Sequence, residues 1–214
     1  NGAKRAGSTK TGLVFDDRYL RHTLGKGHPE SPERLKAIIQ RLKRSGLYKA
    51  AEIISPTVDP ILYIRTVHPE SHVNRIAVQA HDESICRLAV SGALAAVDAV
   101  CTGEVSNAFC AVRPPGHHAS DRGEHGFCFY NNVAIAARYA QKKHRLARVL
   151  IVDWDYHHGN GTEWAFYDDP TVLFFSTHAL YAFPGTGFAD KIGKGKGKGL
   201  NINVPLPRGA DDKK

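Results

Sequence analysis

The 214-residue sequence has no methionine, only two tryptophans and four cysteines, and no hydrophobic signal segment at its start. None of the cysteines stands in a C-x-x-C pair, which predicts small core side chains in a reducing compartment rather than disulfides or a zinc ribbon. No apolar run approaches the ~18–20 residues that span a bilayer, so we predict no membrane segment. We predict a cytoplasmic location. Because the chain starts without methionine, the alternative is export with a signal removed before Asn1.

Acidic residues are the minority: 29 Lys and Arg against 21 Asp and Glu give a formal charge of +8. The basic residues are scattered, apart from an N-terminal tail over 1–11 and a glycine-lysine run at 192–199. That run is typical of a flexible, solvated loop. No nucleic-acid-binding motif accompanies the charge, so we predict a mild attraction to acidic partners and no specific nucleic-acid site.

Helix signals are strong in three places. Pro32 suits a first helical position after a capping Ser31, and the residues that follow repeat at helical spacing (Leu35, Ile38, Ile39 and Leu42). The alanine-rich stretch 84–100 predicts a buried helix, and Asn131 predicts the cap of another. HPES occurs at residue 28 and again at 68, which is too short to indicate a duplication.

Short continuous apolar runs lie between these helices, at 108–112, 149–152 and 171–176. Such runs are typical of strands that are covered on both faces. Strands alternating with helices predict an α/β fold with a parallel sheet, and the composition, 42% apolar and 23% charged, is ordinary for one globular domain.

Each of the three predicted strands leads into polar residues. The first runs into RPPGHH, the second into DWDYHHGNG, and the third into Thr177 and His178. In open parallel sheets, ligands bind outside the carboxyl ends of the strands. We therefore expect these polar groups to gather along one edge of the sheet.

Spacing in the second segment indicates a metal site. In extended backbone Asp153, Asp155 and His157 alternate onto one side. Asp155 and His157 could then share one metal ion, and carboxylate with imidazole suits zinc. Asp153 would lie behind them and hold another histidine. The alternative is a set of hydrogen-bonding residues at a strand end, and we interpret His158 as a satisfied core histidine.

The adjacent His117 and His118 follow a rigid Pro-Pro-Gly turn that fixes the direction of both rings. Two neighbouring imidazoles have little structural use, but one can act as a general base and the other as its electrostatic support. A purely structural pair is the alternative.

The motifs RPPGHHA, GFCFYNNVAIAA, VLIVDWDYHHGNGT, FSTH and FPGTG, in that order, resemble the histone deacetylase superfamily. The class II and bacterial deacetylase-like branch, which includes acetylpolyamine amidohydrolases, is the most similar. GHPESPERL near the start and NVPLP near the end are similar to further landmarks of the family. The resemblance implies a three-layer arginase/deacetylase-type fold, a parallel sheet flanked by helices. Residues 12–214 would form the N-terminal two-thirds of one catalytic domain, after the tail 1–11.

The resemblance also implies a role for each matching residue. Asp155 and His157 would be two of three zinc ligands, with iron as a possible replacement for zinc, and the third ligand, an aspartate, would follow residue 214. His118 would be the general base and His117 its electrostatic partner, oriented by Asp153. A tyrosine that stabilises the oxyanion would also lie beyond residue 214, so we expect a protein of only this length to be poorly active.

Three further features come from the same resemblance. Asn160 would contact His118 without adding negative charge, which keeps His118 less basic than His117. Phe127 and Phe183 would form the walls of a narrow substrate tunnel, with Gly126 beside them. A structural potassium ion would be held around a set of five residues: Asp153, Asp155, His157, Ser176 and Thr177.

The implied activity is zinc-dependent hydrolysis of an acyl amide, either acetyl-lysine in proteins or an acetylpolyamine, which releases acetate and a free amine. Two alternatives remain open. One is an arginase-like hydrolase, which needs a two-metal cluster richer in Asp ligands. The other is a catalytically weak deacetylase-fold module that binds acylated chains.

Overall fold

The computed structural model describes residues 8–80 and 82–211, so residues 1–7 of the predicted tail lie outside the described residues. Strands and helices alternate along the described chain: β1 (Thr11–Val14), α1 (Pro32–Arg44), α2 (Leu47–Ala50), β2 (Glu52–Ile54), α3 (Ile61–Ile64), α4 (Glu70–Gln79), α5 (Glu83–Cys101), β3 (Asn107–Cys110), α6 (Asn132–His144), β4 (Val149–Asp153), α7 (Asn160–Phe166), β5 (Val172–Ala179) and β6 (Asn201–Leu206). Two short 3-10 helices, Asp17–Arg21 and Gly195–Gly197, complete the set.

Every strand pairing among the described residues is parallel, which confirms the predicted α/β class. The strands form two three-stranded sheets, in the orders β2-β1-β3 and β4-β5-β6. In residues 8–80 and 82–211, β3 and β4 are not hydrogen-bonded to each other. The carboxyl ends of β3, β4 and β5 carry the polar segments that the sequence singled out.

The prediction that the three apolar strands β3, β4 and β5 are covered on both faces is wrong for β3 and β4. Phe109 in β3 is 46% exposed, and Leu150 and Val152 in β4 are 61% and 45% exposed. In β5, by contrast, Val172 and Phe174 are buried. An apolar run shows that a strand can be covered, but only the neighbouring elements decide whether each face is.

The first long helix, α1, follows its sequence signals closely. Pro32 occupies the first turn, and Leu35 and Ile39 are buried. Ser31 stands at the N-cap position but makes no side-chain cap hydrogen bond. Gly46, with a φ of 79°, follows the helix, a conformation that glycine adopts without steric cost.

The central helix of the fold is α5, in which ten residues are buried, among them Ala89, Val90 and Leu94. By length and composition it is the one helix among the described residues that could cross a membrane, contrary to our expectation from the sequence. However, 56% of its most apolar window is buried inside the protein, as in the core helix of a globular domain.

The next helix, α6, begins where the sequence predicted, because the Asn131 side chain accepts a hydrogen bond from Ala134 N (3.1 Å). The four cysteines are free, as predicted. Cys86 and Cys128 are buried, but Cys101 is exposed, so it is not the core side chain that the composition suggested.

Candidate metal-binding and catalytic site

A cavity of about 760 Å³ opens at the carboxyl ends of β3 and β4. Its polar lining includes His117, His118, Asp155 and His157, and its apolar lining includes Phe127 and Phe183. The structure thus brings together residues that lie up to 66 positions apart, between His117 and Phe183. Asp153 and Asn160 contact the two histidines from outside this lining.

Asp153 orients His117, because the Nδ1–H of His117 donates a hydrogen bond to Asp153 Oδ2 (2.9 Å). The other carboxylate oxygen, Oδ1, accepts from the backbone N–H of Asp155 (3.0 Å). Burial is the largest single influence and acts to raise the pKa of the Asp153 carboxyl. The hydrogen bond and charge of His117, together with the Asp155 N–H, outweigh it, so the pKa is lowered overall. Asp153 is therefore an anion that holds one ring of the histidine pair and the strand end.

His118 is buried and makes the contact with Asn160 that the resemblance implied: His118 Nδ1 lies 2.8 Å from Asn160 Oδ1. An amide oxygen can only accept, so Nδ1 carries the proton and Nε2 keeps its lone pair. Burial and the neighbouring His117 lower the pKa of His118 to about 4, despite the hydrogen bond to Asn160. His118 is thus held neutral, with the tautomer that a general base needs.

Asp155 and His157 are the two side chains of the site that are spaced to bind a metal ion. Asp155 Oδ1 lies 3.2 Å from His157 Nδ1, and both side chains are about half exposed. Two ligands on one tetrahedral zinc, each at ~2.0–2.1 Å, lie roughly 3.3 Å apart. The donor types and their spacing therefore fit zinc.

A third protein ligand does not join this pair among the described residues. There, the one group of three potential ligands within 4.8 Å of one another is His22, Asp82 and Cys86. None of these three residues lines the cavity, and His22 Nδ1 lies 2.6 Å from Asp82 Oδ2. It is therefore not the predicted zinc site, for which the described residues offer Asp155 and His157.

Phe127 and Phe183, the predicted tunnel walls, both line the cavity. The rings of Phe183 and His118 meet edge to face, with centroids 5.1 Å apart. Phe127 makes the same kind of contact with His28, at 4.4 Å. A Cβ at Gly126 would overlap His118 Cδ2, so glycine allows the wall to approach the base.

The structure brings together only some of the residues of the predicted potassium site. Asp153 and Ser176 pair in register across β4 and β5. Asp155 and Thr177 line a second hollow of about 680 Å³. The Ser176 hydroxyl, however, is hydrogen-bonded to His178 Nδ1 (2.9 Å). Potassium binding therefore stays a prediction.

Sequence reasoning missed a buried polar cluster behind the site. Glu163 Oε2 accepts hydrogen bonds from the side-chain amides of Asn201 and Asn203, each at 2.7 Å. His158 Nδ1 bonds Thr186 Oγ1 (2.8 Å), but its Nε2, 3.3 Å from Glu163 Oε2, has no hydrogen-bond partner. His158 is thus a core histidine, as interpreted, though only partly satisfied. In the sequence, only the alternating Asn-Ile-Asn of β6 indicated that two amide side chains point to the same side of this strand.

A buried ion pair was missed as well. Arg113 of RPPGHH donates to both carboxylate oxygens of Glu30 (2.5 and 2.7 Å) and to Tyr19 O (2.9 Å). The sequence indicated this pair only through a charged residue before the Pro-Pro-Gly turn and the Glu of the first HPES.

The fold and the site together define a class: a parallel α/β protein whose strand ends hold a zinc-ready Asp–His pair beside a buried, neutral histidine. Comparison with known proteins narrows this class. The model of the Histone deacetylase domain matches residues 28–214. The chain therefore belongs to the histone deacetylase family.

Relatives and a solved structure agree with this assignment. The chain is 37% identical over 219 residues to the Probable deacetylase of Archaeoglobus fulgidus, covering 95% of this chain and 61% of that protein. It is 34% identical to Histone deacetylase 7 of Homo sapiens, over 86% of this chain and 24% of that protein.

The crystal structure of the HDA15 HD domain superposes with a TM-score of 0.87 at 35% identity, covering 92% of this chain and 62% of that one. This match confirms the predicted fold class. The chain thus spans less than two-thirds of the length of each of these proteins.

Proposed function

We propose that this chain provides the base and two zinc ligands of an amidohydrolase that removes acetyl groups from lysine side chains or polyamines. The observation that most strongly supports this proposal is the geometry of His118. Its Nδ1–H is taken by Asn160, which leaves Nε2 as the base, in a cavity that also contains Asp155 and His157. The names of the relatives, which are deacetylases, support the same reaction class.

In this proposal Asp155 and His157 would hold the zinc, or iron in its place. A metal held there would supply Lewis-acid chemistry, since it would polarise the acyl carbonyl and lower the pKa of a water molecule toward ~7. His118 Nε2 accepts the proton of the attacking water. His117, anchored by Asp153, supports the charge that then develops on the neighbouring imidazole.

The rest of the cavity selects the substrate. Phe127 and Phe183 enclose an extended acylated chain between apolar rings and exclude water from it. A potassium ion near Asp153 and Ser176 would stiffen the strand ends that hold the metal ligands.

The test is acetate release from an acetyl-lysine peptide and from acetylspermidine, before and after removal of metal by a chelator. It is measured on a protein that continues past residue 214, where the third ligand and the tyrosine are expected. We expect His118→Ala to lower the rate by about 10²–10⁴-fold, because it removes the base. Chelation should abolish release, and added zinc should restore it.

His144→Ala is the matched control, because this histidine ends α6 and is bonded to Asp98 of α5, away from the cavity. Full activity in His118→Ala would contradict the assignment of the base. Tight binding of the acetyl-lysine peptide without turnover in the unsubstituted protein would instead favour the binding-module alternative.

A further inference from the structure

A loop connects His118 to helix α6 and carries one wall of the cavity; we name residues 119–131 the wall loop. Phe127 and Gly126 lie in it, and Phe127 has a positive φ of 70°, which is costly for a residue with a side chain. A loop in such a conformation persists only where its surroundings hold it. Here the surroundings include the start of α4.

Two buried histidines at the start of α4 contact the wall loop. His68 is 1% exposed and His72 is fully buried, and their rings stack with centroids 4.4 Å apart. Neither residue lines the cavity. The hydrogen bonds of their rings all lead to the backbone of the wall loop or to Arg75.

The hydrogen bonds of His68 close both ends of the loop. Its Nδ1 lies 3.0 Å from Ser120 O, and a carbonyl oxygen can only accept, so Nδ1 carries the proton. Its Nε2 then accepts the backbone N–H of Asn131 (2.9 Å). One ring thereby joins the first and last turns of the wall loop.

The hydrogen bonds of His72 require the opposite tautomer. Its Nε2–H donates to Phe129 O (2.7 Å), so its Nδ1 is the acceptor for the Arg75 guanidinium (2.8 Å). Arg75 in turn reaches Glu124 Oε2 on the loop (2.9 Å). The pair thus holds the loop at three points directly and at a fourth, Glu124, through Arg75.

Both rings must be neutral to make these bonds, since each accepts through one nitrogen. The charged or titratable groups that face them are Arg75, Glu124 and Tyr130. Burial and the neighbouring His72 lower the pKa of His68 to about 3, and burial also lowers the pKa of His72. At neutral pH the arrangement is therefore intact.

The helix that carries the pair is itself fixed to the core. Val73 and Ile76 of α4 are buried in the cluster that contains Leu94 of α5 and Ile135 of α6. The position of the wall loop is thus tied to the main helices of the fold through two imidazole rings.

We propose that His68 and His72 are positioning residues of the site, a histidine clamp that sets the distance between Phe127 and the base His118. This inference rests on the proposed function for its kinetic consequence, but not for its structural one. The acylated chain would pass along the wall that the clamp holds, so loss of the clamp would weaken substrate binding more than the chemical step.

The test compares His72→Leu, which removes both hydrogen bonds, with His72→Gln, whose amide N–H can still reach Phe129 O. The readouts are hydrogen exchange at the Cys128 amide, which donates to His125 O within the loop (2.8 Å), and KM for an acetyl-lysine peptide. For His72→Leu we expect about tenfold faster exchange and about tenfold higher KM, with kcat nearly unchanged. His72→Gln should remain near the unsubstituted protein.

His144→Leu is the matched control, since it removes a histidine bonded to Asp98 and leaves the wall loop untouched. Unchanged exchange in His72→Leu, or equal losses in the Leu and Gln variants, would overturn the proposal. If His72→Leu does not fold, His68→Asn gives the same test, because it keeps a donor for Ser120 O and frees the Asn131 amide. If the unsubstituted protein that continues past residue 214 releases no acetate, the proposed function fails, and the exchange data still decide the clamp.

Discussion

At the scale of single residues, the site depends on how closely a wall can approach a base. Gly126 has a φ of 52°, and the space where its Cβ would stand is taken by the His118 ring. Both the conformation and the contact therefore require glycine. The sequence showed Gly126 beside Phe127, but not that it touches His118.

Gly126→Ala should lower kcat/KM by about 10²-fold, because a displacement of ~1 Å at a catalytic group is enough for such a loss. It should also cost about 1–2 kcal/mol of stability, since alanine is strained at positive φ. Steady-state kinetics and urea unfolding measure the two effects.

Gly46→Ala separates these effects. Gly46 has a comparable φ of 79°, but nothing lies within 4 Å of its would-be Cβ. It should share the loss of stability and keep kcat/KM. Equal kinetic losses in both variants would show that strain, rather than the contact with His118, explains the effect.

At the scale of elements, helix starts position the site. Both HPES segments precede a helix, and the histidine of each touches the wall loop: His28 packs on Phe127, and His68 bonds Ser120 O. The start of α6 closes the same loop, because the Asn131 side chain also donates to Ala119 O (3.1 Å). Three helix starts thus surround one loop.

Asn131→Ala should lower the free energy of unfolding by about 1–2 kcal/mol, since it removes the cap of α6 as well as the bond to Ala119 O. Urea unfolding measures the change.

Ser31→Ala is the control, because Ser31 holds the equivalent position on α1 without a side-chain cap bond. It should change stability by less than about 0.5 kcal/mol. If both substitutions cost the same, capping does not explain the role of Asn131.

At the scale of the whole molecule, a buried ion pair joins distant parts of the chain. Arg113 precedes the histidine pair in sequence, and Glu30 lies 83 positions earlier, before α1. Both side chains are almost fully buried, at 2% and 3% exposure. A buried charge without its partner is strongly unfavourable.

Glu30→Gln should therefore destabilise the protein by about 3–5 kcal/mol, because it leaves the Arg113 guanidinium buried without a counter-ion. Thermal and urea unfolding would show it.

Glu52→Gln provides the comparison, since Glu52 pairs with Lys10 on the surface (2.9 Å) and that pair contributes little. A small effect of Glu30→Gln, similar to that of Glu52→Gln, would show that water or other groups satisfy Arg113.

The sequence by itself determined the parallel α/β class, which the strand pairings confirm. It also determined where two main helices start, at Pro32 and after Asn131. These follow from local signals: helical periodicity, capping residues and apolar runs. It also marked Asp155, His157 and the histidine pair, because polar groups that follow parallel strands meet at one edge.

Only the tertiary structure decided which nitrogen of His118 is free, which faces of β3 and β4 stay exposed, and what holds the wall loop. Each depends on contacts between residues far apart in sequence, such as His68 with Asn131 or Glu30 with Arg113. A pattern of residue types records that a side chain can donate, accept or be buried. The partner it finds is set by the packing of the whole chain.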